Sequence, residues 1–229
     1  MATIETFTTA KAIVCLGDSI TFMASTRAER GYPSVLDELL FSQGFSVGNN
    51  GISGGFVQHA QDIYTLRLKN RGLWGVCLLV GVNDLAAGTE AATISAAIIA
   101  LVNEMLADGI KVIVSTVLPW KNGGGWTAAI QTKTEAVNTQ LLAIAGTNAN
   151  LKVVDGYTEF GDIDDGELLA RVYQEVTSDA LHLGSYGAQA LAKLMQAAIE
   201  ELAVPPEVAD FWPVWRHRAR SGTTGRSGA

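Results

Sequence analysis

Cysteine, histidine and long apolar runs are all scarce in this chain. Only two cysteines occur, Cys15 and Cys77, each inside an apolar, strand-like run. The expectation is two small buried core residues rather than a disulfide or a catalytic thiol. Three histidines occur, His59, His182 and His217, and no Cys/His spacing matches a zinc site, so no metal is expected. No apolar run approaches the roughly 18–20 residues of a membrane span. The N-terminus lacks a basic start and a signal-type apolar segment, so the cytoplasm is the expected compartment, with a secreted mature form the alternative. Basic charge is in deficit as well: residues 1–213 hold 12 Lys and Arg against 23 Asp and Glu, a charge of −11. Such a body is a poor match for a phosphate backbone, so nucleic acid is not an expected partner. No internal repeat is visible.

What is present is enough apolar sequence, 48% of 229 residues, for one domain with a real core. Short apolar runs alternate with helical stretches. Strands are expected at 11–16, 45–48, 74–81, 110–118 and 151–154, and helices at 32–42, 91–108, 127–145 and 185–202. Gly109 stands where a C-cap glycine belongs, and Ser185 is a candidate N-cap. The stretch 49–55, Asn-Asn-Gly-Ile-Ser-Gly-Gly, reads as a loop. Strand–helix alternation argues for a parallel sheet covered by helices on both faces, with sites forming beyond the carboxyl ends of the strands. Residues 1–204 make up the expected domain. Pro205-Pro206 should stop the last helix, and 205–229, a Trp/Arg-containing tail, is expected to be a packed strap followed by a disordered or tag-like end.

Chemistry concentrates in three blocks. Gly17-Asp18-Ser19-Ile20 ends the first apolar run, so a buried strand runs straight into a serine. A serine hydroxyl is a weak nucleophile without a base, and a following helix N-terminus offers backbone N–H donors to a developing oxyanion. Asp179-Ala180-Leu181-His182 lies far downstream, with His182 the natural general base and Asp179 suited to orient its ring. Of the other two histidines, His59 has no acid beside it and His217 lies in the Arg-containing tail. Between the blocks, Gly81-Val82-Asn83-Asp84 follows another apolar run. Asn83 there is either an oxyanion donor or half of an Asn-Asp turn.

These blocks, in this order, resemble the SGNH, or GDSL-type, hydrolase/esterase family over residues 12–190. The resemblance implies a flavodoxin-like three-layer α/β/α sandwich with a five-stranded parallel sheet. It implies a serine esterase with Ser19 as nucleophile and His182 and Asp179 as its base pair, working through an acyl-enzyme without a cofactor. It also implies an oxyanion hole made of the Ser19 N–H, a glycine N–H and the Asn83 side chain. Aligning Asn49-Asn50-Gly51-Ile52-Ser53-Gly54 with the family's Asn-x-x-x-Ser-Gly block puts the glycine at Gly54, with Gly51 as a rival. Phe22 and Met23 stand where many relatives carry small residues, and are expected to narrow or line the acyl site. His182 is followed by Leu183-Gly184, a tolerable variation. With no long apolar lid in the sequence, the substrate expected is a small-molecule ester, with a short acyl chain on a small or carbohydrate-like alcohol. Lysophospholipase- or thioesterase-type activity is the alternative within the family.

Two rivals stand beside this reading. Gly51-Ile52-Ser53-Gly54-Gly55 fits the Gly-x-Ser-x-Gly elbow of α/β-hydrolases, with Asp155 or Asp179 and His182 downstream. That elbow normally follows several strands, and here only one clear strand precedes the short one. A binding module that keeps the fold without turnover is the other. Finally, Trp120 and Trp126 flank a glycine-rich loop after the fourth strand. They are expected either to cover the substrate or, for one of them, to be buried beneath a surface loop.

Overall fold

Alternating apolar residues set the layers. In β1 (Lys11–Gly17), Ile13 and Cys15 enter one core while Val14 and Leu16 enter the other. The same alternation runs through β3 (Gly75–Leu79) and β4 (Lys111–Ser115), both almost wholly buried. With β2 (Phe45–Gly51) and β5 (Leu151–Val154) they form a five-stranded, all-parallel sheet in the order β2-β1-β3-β4-β5. This computed structural model describes residues 11–22, 30–174 and 180–204.

One face of the sheet is covered by α2 (Tyr32–Phe41) and α8 (Ser185–Ala203), through Leu36, Leu40, Leu191 and Met195. The other is covered by α3 (Val57–Ile63), α5 (Ala91–Ala107) and α6 (Ala128–Ala143). A short α7 (Gly156–Phe160) follows β5, its first turn capped by Asp155, which accepts from the Thr158 N–H. The result is the expected flavodoxin-like α/β/α sandwich. Both cysteines are free and fully buried, opposite one another on β1 and β3.

Local signals hold in places. Gly109 follows α5 at φ +78°, with its N–H on Leu106 O and the Ile110 N–H on Met105 O, a Schellman closure. The Thr127 hydroxyl caps α6 by accepting from the Ile130 N–H. Ser185 is the first residue of α8 rather than its cap. Gly184 takes the cap position in extended conformation, with no side-chain bond.

Strand ends differ more. β2 runs on through Asn49, Asn50 and Gly51, which read as loop, because register with β1 continues to Gly17↔Gly51 and a half-exposed edge strand tolerates polar residues. β4 stops at Ser115, short of the apolar run's end. Past it the Asn138 side chain pairs both the N–H and the C=O of Val117, at 2.8 and 2.9 Å, in place of a strand partner. After α3 the chain continues in a π turn over Tyr64–Leu68.

Candidate active site

The order of strands creates the site. The chain reverses its direction across the sheet between β1 and β3, and the crevice beyond their carboxyl ends is where such sheets bind ligands. Gly17 closes β1 there. A Cβ on it would lie 2.1 Å from Leu79 O on β3, so only glycine fits. Asp18 then turns the chain, its Oδ1 accepting from the Ile20 N–H at 2.9 Å, which starts α1 (Ser19–Phe22) at the serine.

His182 reaches this serine from 163 residues away: its Nε2 lies 2.9 Å from Ser19 Oγ. The histidine is held between two anchors. Leu181 packs at the margin of both cores, Leu183 is buried, and the Gly184 N–H donates to Tyr173 O. Asp179 lies outside the described residues.

Asn83 and Asp84 open α4 (Val82–Ala86), just after Gly81 at φ +121°. Asn83 Nδ2 donates to Gly55 O at 2.9 Å, which ties the loop after β2 to the end of β3. Within that loop Gly54 has φ +71° and open space where a Cβ would point, a backbone state that favours glycine. Gly51 is a glycine for another reason, since a Cβ there would lie 2.2 Å from the Phe22 N of α1. The Gly51 N–H is already taken by Asn49 Oδ1.

Two carboxylates that sequence reasoning passed over complete the surroundings. Asp18 is almost fully buried, and that burial pushes its carboxyl up to about 7, against the downward pull of the Ile20 N–H and of His182; Asp84 adds to the rise. Asp84 is also raised by burial, offset by the Val57 N–H that it accepts at 3.1 Å and by His59. Both stand inside the motif blocks, beside the residue that drew attention.

The tryptophans separate. Trp120 is fully buried, its Nε1 donating to Thr134 Oγ1, so it offers no face to a substrate. The reading that has it covering the cleft is corrected: its indole fills the core between β4 and α6. Trp126 is half-buried at the core's margin and donates to Gln131 Oε1. Gly123 in the loop between them approaches Leu181.

A serine hydroxyl within hydrogen-bond reach of a histidine, as Ser19 and His182 are at the switch point, is a pair that can support nucleophilic acyl transfer. A family model described as GDSL-like lipase/acylhydrolase matches residues 15–190. The chain belongs to that family. It is therefore a carboxylic ester hydrolase of the acylhydrolase, esterase and lipase group, and the α/β-hydrolase alternative falls. Ser53, its proposed nucleophile, sits exposed in a turn, while His182 Nε2 is on Ser19.

Solved structures agree with the GDSL assignment. A Bacteroides fragilis NCTC 9343 protein assigned as an acylhydrolase is 25% identical, covering 83% of this chain and 87% of its own, with a TM-score of 0.67. A GDSL-like lipase from Bacteroides thetaiotaomicron VPI-5482 is 22% identical, covering 83% and 88%, also at 0.67. The acetyl xylan esterase AlAXEase shares the fold at 20% identity, covering 82% and 99%, with a TM-score of 0.61. No curated protein matches the sequence. Among the described residues no helix is long and apolar enough to cross a membrane.

Proposed function

We propose that this GDSL-family enzyme hydrolyses short-chain carboxylic esters of small or sugar-like alcohols by two-step acyl transfer on Ser19. The observation that carries the reading is the 2.9 Å approach of His182 Nε2 to Ser19 Oγ. Ser19 Oγ attacks the ester carbonyl carbon as its proton passes to His182 Nε2. The alcohol leaves with that proton, and a water activated by the same nitrogen releases the acid. Asp179, three residues before His182, orients the ring and stabilises its charged form.

The Ser19 N–H, the Gly54 N–H and the Asn83 amide receive the oxyanion. Gly54 is favoured over Gly51 because the Gly51 N–H is committed to Asn49. Asn83 uses one amide hydrogen on Gly55 O and keeps the second for substrate. The short acyl chain is inferred from the absence of a long apolar lid in the sequence, and the likeness in fold to an acetyl xylan esterase fits a sugar-like alcohol.

Hydrolysis of p-nitrophenyl esters from acetate to dodecanoate by wild type, Ser19→Ala and Ser53→Ala tests this. Ser19→Ala should lose about 10⁴-fold or more in kcat while Ser53→Ala stays active. Acetate and butyrate should be preferred. A maximum at long chains would replace the substrate reading with a lysophospholipase- or thioesterase-type one. A folded wild type that is neither active nor labelled by a serine-directed phosphonate would favour a binding module.

A further inference from the structure

We infer that Asp84 is a positioning residue for the oxyanion hole: its carboxylate holds the loop that carries Gly54 at the correct distance from Ser19. The inference rests on the acyl-transfer reading above and assigns a role to a residue outside the proposed triad and hole.

The geometry is a two-residue clamp. Asn83 and Asp84 are consecutive in the first turn of α4, and both reach the same short segment. Asn83 Nδ2 donates to Gly55 O at 2.9 Å, and Asp84 Oδ2 accepts from the Val57 N–H at 3.1 Å. On the side of the nucleophile the segment is tied again. The Ile52 N–H donates to Gly17 O at 3.0 Å, two residues before Ser19, and the Gly55 N–H donates to Ile52 O at 2.9 Å. Gly54 stands between these ties with no side chain and a positive φ, so nothing of its own fixes where its N–H points.

The capping of α3 points the same way. Its N-cap position is Phe56, whose side chain has no oxygen or nitrogen to offer the first-turn amides. A Ser or Asp at 56 would cap the helix locally. Instead the Phe56 N–H goes to His59 Nδ1 at 2.9 Å, and the Val57 N–H goes to Asp84, 27 residues away in the first turn of α4. A cap supplied from a distance does what a local cap does not: it couples the loop carrying Gly54 to the turn carrying Asn83. A carboxylate suits this task, because a charged acceptor on a first-turn N–H makes a stronger bond than a neutral one.

The test uses the full-length enzyme and a matched pair of substrates, an oxygen ester and the thiono ester with C=S in place of C=O. Sulfur accepts hydrogen bonds poorly, so the ratio of the two rates reports on the hole and not on the nucleophile. Asp84→Ala should lower kcat on the oxygen ester by about tenfold or more. KM should change less, and the oxygen-to-thiono ratio should fall. Asp84→Asn, which keeps an acceptor, should fall less in both. Val57→Pro removes the same hydrogen bond from the donor side, at a helix position where proline is tolerated, and should reproduce the fall in ratio. Equal losses on both substrates, or an unchanged ratio in Val57→Pro, overturn the inference. Ser19→Ala separates the two failures, since turnover surviving there would sink the acyl-transfer reading itself.

Discussion

Asp18 is the residue whose environment most changes its chemistry. It is 1% exposed, and burial pushes its carboxyl up to about 7. In an unfolded chain the same group titrates near ~3.9. Between about pH 4 and 7 the native state therefore holds a proton that the unfolded state has lost. The stabilisation is complete below about pH 4, declines as pH rises to about 7, and is absent above. Asp18→Asn keeps an acceptor for the Ile20 N–H and removes the ionisation. Its Tm should exceed that of wild type at pH 8 and match it near pH 4. Thermal melts of both proteins across that range check this, and curves that stay parallel would contradict it. Asn83 allows a sharper prediction on activity. Asn83→Ala removes the tie to Gly55 and, in the proposed mechanism, one donor to the oxyanion. It should lower kcat on an acetyl ester by about 10²-fold or more, with KM moving little, as steady-state kinetics would show. Ser19, His182 and Asn83 stand out in the sequence as candidates, because their residue types and motif spacing suit the chemistry. Asp18 and Asp84 are equally visible as letters. What surrounds them is not, because one depends on burial and the other on a hydrogen bond to the first turn of α3.

At the scale of elements, close approaches decide more than propensity. β2 passes α1 so tightly that a Cβ at Gly51 would sit 2.2 Å from a backbone nitrogen that cannot step aside. Gly51→Ala should therefore cost about 1–3 kcal/mol or more and also impair turnover, since α1 begins at Ser19. Denaturant melts and acetate hydrolysis measure the two effects. Trp120 belongs to the packing between β4 and α6. Trp120→Ala should lose about 3–5 kcal/mol of stability without changing the order of preference among acyl chains at a temperature where it remains folded. The strands at β1 and β5 read directly from the sequence, because an apolar run between polar or glycine residues has an obvious start and stop. The extents of β2 and β4 do not. β2 is lengthened by register with its neighbour, and β4 is cut short where Asn138 takes over its pairing. Trp120 is ambiguous in sequence for a related reason: a tryptophan beside glycines has the same local sequence whether it covers a cleft or fills a core.

For the whole molecule, the two cores among the described residues draw on side chains from Ile13 on β1 to Leu202 in α8, and the expected tail, 205–229, lies outside the described residues. The domain boundary expected at 204 is tested by a chain ended at Val204: unchanged melting temperature and acetate turnover would support it, and loss of either would assign residues 205–229 to the fold or the site. Strand–helix alternation and motif order were sufficient for the parallel sandwich and the family, and they marked Ser19, His182 and Asn83 as candidates, because apolar periodicity and reactive side-chain types are properties of residues along the chain. Sheet order, the 2.9 Å meeting of His182 with Ser19, the removal of Trp120 from the cleft and the double tie on the loop around Gly54 came only with the tertiary structure. Each of these depends on which distant segments share a surface. That is set by the packing of both faces of the sheet at once, and no local stretch of sequence contains it.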